Sequence, residues 1–432
     1  MDRRIAAGIF ILGLATFSWF YGGDGWNQGA QLDLTRAIVE RHTLYIDGYD
    51  GNTRDVSIGS GGHKYINRAP GVSFLAVLPY VVGRGDPWFC SAATCGVCGA
   101  LIGAILYLYG RRRYDAAPRD ALAISLAILF GTIVFAYSTM LFVHVPAALF
   151  LLLAVVLLDR HPFAAGLAAG MATLCFYVCG AAALLLAVLR PNRRFLLGGA
   201  PFAVVLGAYQ WACFGSPFRT AVESSVYFRN DEFLFGVLHA PSLRALWAIS
   251  VSPYRGLFFV SPFLLFAFSG FRRMARRDAV AVAVIAAIFV AVIAGFNGWN
   301  GGWAFGPRYL LPIIPLLGMA MLAGARTARR TTRAAWIAAV VVSVAINFLA
   351  VAVDPMPPDS VRSPTIRDHI PGFFQGRLSQ GINEENVGER IFGTGTRASV
   401  APVALWLIAG AAVLVTLARE PSPRPSLQPR TR

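Results

Sequence analysis

Six acids crowd one polar stretch between residues 23 and 71: Asp24, Asp33, Glu40, Asp47, Asp50 and Asp55. The stretch closes on a cationic set, His63, Lys64 and Arg68, with Tyr65 among them. A positioned carboxylate can take a proton from a reacting hydroxyl. Fixed cations stabilise an anion as it forms. An ordinary solvated face accounts for any one of these acids taken singly. Six of them on one segment with a basic close make that segment the candidate reaction centre. Two further arginines, Arg255 in SPYRGLFF and Arg308 in FGPRY, stand apart from the dense arginine clusters, the second of them behind Trp299 and Trp303.

What must position these residues is a mostly apolar chain. Of 432 residues, 56% are hydrophobic and only 14% charged, with mean hydropathy +0.58. Soluble domains carry about 25% charged residues. Apolar runs of roughly 16 to 21 residues recur along the chain, each near bilayer length, which predicts an all-α polytopic membrane protein. The net charge of +16 comes from short arginine clusters between those runs, the pattern of positive-inside topology. No nucleic-acid recognition motif accompanies it, so nucleic acid is not an expected partner. All six cysteines lie in or at the ends of apolar runs, and Cys95 and Cys98, though spaced CxxC, have no His or acidic neighbour; they read as packing residues.

The arginine clusters fix a topology. Asp2, Arg3 and Arg4 hold the N-terminus inside, and MDRRIAAGIFILGLATFSWFYGG reads as an uncleaved first span over 5–22. The first outer loop is then 23–88. Within it the short run 70–83, with Pro70, Gly71 and Pro79, reads as an interfacial or re-entrant helix. Further spans are expected at 89–109, 119–138, 141–158, 195–213, 254–271, 278–296, 310–325, 334–352 and 401–418. The run 163–189 has basic clusters at both ends and reads as a broken pair turning near residues 175–180. About twelve crossings place every dense arginine cluster inside, with further outer loops at 214–253, 297–309 and 353–400. A disordered cytoplasmic tail follows at 420–432. Chain 1–432 is thus one transmembrane domain. No internal repeat is evident, and 353–400 is too short and too poor in apolar residues to fold alone.

In LDLTRAIVERHTL, Leu34, Ala37, Ile38 and Arg41 fall at helical spacing, as do Asp33, Arg36 and Glu40, which predicts an amphipathic helix lying on the membrane with its polar face toward the reaction cavity. Trp299 and Trp303 also suit an interfacial aromatic belt, and Arg255 and Arg308 could snorkel to headgroups. His144, beside Pro146 in an apolar run, is more simply a residue packed against a helix neighbour than a functional one.

The acidic loop, LTRAIVERHTL, and GGHKYINRAPG entering a short apolar run resemble the first outer loop of the GT-C glycosyltransferases, in the protein O-mannosyltransferase and lipid A aminoarabinose transferase branch. In that branch the loop closes on a Tyr, a Lys that meets the lipid phosphate, and a Pro pair. Tyr65, Arg68 and Pro70 stand in those places, with Arg for Lys. WACFGSPFR, SVSPYRGLFFVSP and GWNGGWAFGPRYLLP resemble a bacterial set of the same superfamily. The family's acidic pair after the first span falls at Asn27 and Gln28, so the catalytic carboxylate must be another residue: Asp24, Asp33 or Asp55. Phe176 stands where the bacterial set often has an acid.

The resemblance implies inverting transfer of a sugar from a polyprenyl-phosphate donor to a glycan, lipid or protein acceptor, on the extracytoplasmic face of a bacterial inner membrane. Asp24 or Asp33 would be the general base, with Asp55 behind them. Arg68, Arg255 and Arg308 would bind the donor phosphate, and His63, Lys64, Tyr65, Trp299 and Trp303 would contact substrate. No cofactor is indicated, though a divalent metal is compatible. Two rival readings stand beside this one. A flippase of lipid-linked sugars would place ionisable groups at mid-membrane depth, whereas here they lie in the outer loops. A non-catalytic subunit of an envelope-polysaccharide assembly would explain the displaced acidic pair.

Overall fold

Helix α1 (Asp2–Ser18) runs directly into a two-residue strand, β1 (Phe20–Tyr21), and the polar loop follows. The computed structural model describes residues 1–227, 234, 236–325 and 329–419; the tail expected at 420–432 lies outside them, as does part of the loop 214–253. Among the described residues, five helices have the length and apolar character to cross a bilayer: Pro87–Arg113, Arg193–Phe214, Arg276–Ala294, Arg330–Val353 and Arg397–Leu417. Their outward faces carry Leu196, Val204, Trp211, Val341, Leu405 and Ile408, all exposed, as a lipid-facing surface requires.

Inside the bundle, helices meet through small residues. Gly13 of α1 packs on Ala100, and Gly166 lies against the Phe195 carbonyl, where an added Cβ would come within 2.0 Å. Close backbone approach of this kind replaces the hydrophobic drive that lipid cannot supply. All six cysteines are buried and unpaired.

Several apolar runs expected as single spans are broken. The run 119–138 divides into Pro118–Phe130 and Val134–Ser138 at Gly131. The run 254–271 divides into Leu257–Val260, a tight 3-10 turn at Pro262–Phe266, and Ala267–Phe271. Proline is the cause in the second case, since Pro262 has no amide hydrogen to continue the ladder. The run 163–189, by contrast, is expected as a broken pair turning near residues 175–180, and it divides there into Pro162–Cys175 and Val178–Leu189, with Phe176 extended at the break. Helix α3 (Gly71–Val82) has only 12 residues, roughly 18 Å of rise, short of the hydrocarbon thickness.

The polar loop is better ordered than its composition implies. Helix α2 (Trp26–Arg36) starts six residues before the predicted amphipathic segment and tightens into a wide turn at Ala37–Arg41, ending on His42 in the left-handed region. The expected polar face is only partly solvated: Glu40 is exposed and Arg36 half-buried, but Asp33 is buried. On the opposite side, Gln31 accepts hydrogen bonds from the Ser73 amide and hydroxyl at 3.2 and 2.6 Å, and Thr35 donates to the Ser73 carbonyl at 3.1 Å. That second polar face locks α2 to α3.

Two small ribbons depart from an all-helical plan. β2 (Val56–Ile58) pairs antiparallel with β3 (Lys64–Ile66), in the register Val56 with Ile66 and Ile58 with Lys64. β1 pairs antiparallel with β4 (Glu385–Asn386), joining the end of the first helix to the last large loop. That loop does not fold alone. It closes onto the bundle through buried Met356, His369, Leu378 and Asn386. The helix Val387–Phe392 is started by a reciprocal cap between Asn386 and Glu389.

Candidate active site

The β2–β3 register builds the first part of the site. With Val56 opposite Ile66, Asp55 lies opposite Asn67, and the Asn67 amide donates to the Asp55 carbonyl at 3.0 Å. Arg68, one residue on, turns its guanidinium onto the Asp55 carboxylate. Nη2 donates to both oxygens at 3.0 Å and Nε to Oδ2 at 3.1 Å. The side chains are 18% and 3% exposed, so this is a forked, desolvated ion pair. Burial acts to lower the Arg68 pKa, but the Asp55 charge outweighs it and the net shift is upward.

Arg68 and Asp55 line a cavity of about 640 Å³. Four separate stretches close around it: the start of α2 (Asn27, Gln28), the β2–β3 ends, the glycine-rich segment 296–303, and Arg308 with Tyr309. Met356, Asp359 and Ile382 complete one wall, and Phe142 and Phe296 give it apolar surface. Arg308 is 7% exposed, stacks over Phe142 and Tyr309 at 4.9 and 5.0 Å, and donates from Nη2 to the Tyr309 hydroxyl at 3.2 Å. Its buried Nε has no hydrogen-bond partner, and among the described residues no carboxylate pairs with it. Burial acts to raise the Tyr309 pKa, but Arg308 and Arg68 prevail and leave the phenol more acidic than usual. Gly301, at φ 77°, lets the 296–303 segment close on Arg308: a Cβ there would stand 3.1 Å from Nε.

The cavity also holds acceptors in want of donors. The side-chain oxygens of Asn27, Gln28 and Asn67 are buried with no partner. Buried polar groups are nearly always satisfied, so orphan acceptors beside an orphan guanidinium N–H describe a site shaped for a ligand with both hydroxyls and negative charge. Asn27 and Gln28 are the two residues that stand where the resembling family has its acidic pair, and both reach the cavity wall.

The other expected site residues are placed as follows. Trp303 lines the cavity, half exposed. Arg255 does not line it. This guanidinium is fully buried behind the 296–303 segment, where it donates to the carbonyls of Asn300 at 3.1 Å, Gly302 at 2.8 Å and Ala304. It stacks on the Tyr254 ring at 4.5 Å. Its donors are engaged by backbone, so it shapes the cavity wall instead of facing a ligand. Trp299 packs edge-on against Tyr254, away from the cavity. His63 bonds Asp47 at 2.6 Å and stacks on Tyr45, Lys64 pairs with Asp50 at 2.6 Å, and Tyr65 is buried against Phe214. None of the three reaches the Arg68 cavity.

Of the three expected acids, only Asp55 does so. Asp24 is held by the Tyr21 hydroxyl and by Asn383 at 2.9 Å. Asp33 is fully buried on the inner side of α2, with Asn52 at 3.5 Å and its second oxygen unpartnered. Burial pushes Asp33 up to about 7, with Arg36 and Asn52 opposing. A carboxyl whose folded pKa exceeds its unfolded one stabilises the fold at low pH and loses that contribution as pH rises through the folded value. Asp33→Asn, which is neutral throughout, should therefore gain stability over the wild type by roughly 2–4 kcal/mol between about pH 5 and about pH 8. Parallel melting curves for the two proteins across that range would show Asp33 to keep its proton in the folded protein until the pH approaches about 7.

One cavity acid escaped the sequence reading. Asp359 lies on the wall with its side chain exposed, and no motif marked it. Buried His144 was set aside as a packing residue. It sits in a ring cage of Phe142, Phe176 and Tyr309 with both nitrogens unpartnered. Phe176, in the position where an acid was noted as missing, stacks on Tyr309. Among the described residues no three His, Cys, Asp or Glu side chains come together as a metal site would need.

Apolar helices, some long enough to cross a membrane and others broken, with the ordered polar segment after the first helix roofing a cationic cavity, define a helical fold of membrane-protein character. No family model matches the chain, and no curated protein matches it. The fold likeness is to ArnT from Cupriavidus metallidurans. Its crystal structure bound to undecaprenyl phosphate aligns over 96% of this chain and 76% of that one, with TM-score 0.53 and 13% identity. The apo crystal structure of the same protein aligns over the same shares with TM-score 0.52 and 13% identity.

Proposed function

We propose that this protein is a glycosyltransferase that takes a sugar from a polyprenyl-phosphate donor and adds it to a hydroxyl of an envelope acceptor. The observation that carries this reading is the cavity itself: Arg308, buried with an unpartnered Nε–H, beside Arg68 and three unpartnered amide oxygens. The guanidiniums suit a phosphate, the amide oxygens suit sugar hydroxyls, and the similar fold has been crystallised with undecaprenyl phosphate. The chain would cross a bacterial inner membrane about twelve times, with both termini cytoplasmic and the cavity on the extracytoplasmic side.

In the reaction, the acceptor oxygen attacks the anomeric carbon as its proton passes to the Asp55 carboxylate. The bond from that carbon to the phosphate oxygen breaks, and its electron pair leaves with the polyprenyl phosphate, where Arg308 and Arg68 meet the charge. One displacement inverts the anomeric configuration. Asp55 keeps this role although it pairs with Arg68, because each carboxylate oxygen has more than one lone pair to offer. Arg255 holds the 296–303 wall in place.

The test is transfer from membranes carrying labelled polyprenyl-phosphate sugars, at matched expression. Wild type should consume donor, and Asp24→Asn should retain transfer within about threefold, as a group outside the reacting centre should. Donor translocated without any new glycosidic bond would establish the flippase reading instead.

A further inference from the structure

Trp26 has two sides. One faces the Arg68 cavity, and the other helps to line a separate open groove of about 540 Å³ on the same outer region. That groove is built from the outward side of the segment that supplies Asp55. Thr53 is extended, and around it burial alternates: Thr53 buried, Arg54 exposed, Asp55 buried. Successive side chains of an extended segment point to opposite sides. Asp55 therefore enters the cavity while Arg54, its chain neighbour, enters the groove.

The chemistry of the groove is specific. Trp26 and Tyr227 present rings that are 49% and 57% exposed. Arg54 lies near both, 5.3 Å from one ring centroid and 5.6 Å from the other, and forms no ion pair among the described residues. Asp50 and Asn52 add an acceptor and a carboxamide, and Lys64 tops the rim, paired to Asp50. A pyranose ring offers an apolar C–H face and an edge of hydroxyls. Exposed aromatic rings receive the first, and a carboxylate, a carboxamide and a guanidinium receive the second.

We infer that this groove is the acceptor subsite and that the acceptor is a saccharide, held by Trp26 and Tyr227 with Arg54 and Asp50 on its hydroxyls, so that one hydroxyl passes the Trp26 edge toward Asp55. The inference rests on the glycosyltransferase reading and names the acceptor class that reading leaves open. A lipid chain would leave Asp50, Asn52 and Arg54 facing hydrocarbon.

The experiment uses the full chain in nanodiscs and saturation-transfer NMR with a panel of methyl pyranosides, alongside a serine- and threonine-containing peptide. At least one pyranoside should receive saturation. Tyr227→Ala and Arg54→Gln should each weaken that binding by about tenfold, while Tyr227→Phe, which keeps the ring, should not. Undecaprenyl phosphate binding, measured on every variant, reports that the cavity is intact. If no pyranoside binds, if binding persists in both variants, or if the peptide binds in the groove instead, the saccharide inference is overturned while the donor reading stands. Loss of undecaprenyl phosphate binding in the wild type would sink the donor reading separately.

Discussion

Arg308→Ala is expected to lower affinity for undecaprenyl phosphate by about 100-fold, with little change in melting temperature. The two halves of that expectation come from one observation. Arg308 is buried, stacked between Phe142 and Tyr309, and its Nε–H points to no protein acceptor. A charge-assisted hydrogen bond to phosphate is roughly twice as strong as a neutral one, and its loss in a desolvated site reaches a few kcal/mol. Since no carboxylate depends on Arg308 among the described residues, its removal orphans no buried charge. Arg308→Lys should fall between, about tenfold weaker than wild type, because an ammonium keeps the charge but not the planar fork or the stacking. Lipid binding followed by native mass spectrometry decides the matter; affinity unchanged in the alanine variant would remove Arg308 from the phosphate site.

The second large effect is at Asp55. Asp55→Asn should cut transfer by roughly 10²–10⁴, the usual contribution of a general base, while undecaprenyl phosphate still binds. The same change strips Arg68 of the Asp55 carboxylate in a site that is nearly dry. Breaking a buried pair from one side costs about 3–5 kcal/mol, so the variant should also melt earlier. The double variant Asp55→Asn with Arg68→Gln separates the two effects. It should recover much of the stability and none of the transfer. Full transfer by Asp55→Asn would pass the base role to Asp359, the other carboxylate on the cavity wall.

How far the sequence could reach is clearest residue by residue. The apolar runs and arginine clusters gave the helical membrane architecture, because bilayer thickness acts on local composition. Arg68 and Arg308 were legible as cavity residues for a similar reason: an arginine outside the dense clusters needs a local explanation. The acids were legible only in part: Asp55 lines the cavity, while Asp24 and Asp33 lie outside it. Asp33 sits on a helical face that looks amphipathic, yet it is buried beside Asn52, while Gln31 and Thr35 on the opposite face satisfy their polar atoms on Ser73. Hydrophobic periodicity assumes that polar means exposed, and a hydrogen-bonded helix pair defeats it. Arg255 shared the local look of Arg308, but its role depends on three carbonyls some 45 to 49 positions away. Asp359 joins the cavity only because the last loop folds back over the first. Pairings at such sequence distance leave no periodic trace.

That return of the last loop sets a schedule for making the protein. Asp24 and Asn383, bonded at 2.9 Å, are 359 positions apart, and the β1–β4 pairing beside them is equally remote. At synthesis rates of about 5–20 residues per second, β1 waits roughly 20 to 70 s for its partner to be made. During that interval the cavity lacks the wall that carries Met356, Asp359 and Ile382. A nascent chain halted before residue 356 would hold Arg68 and Arg308 and still lack that wall, so the cavity closes only when the last large loop has been made.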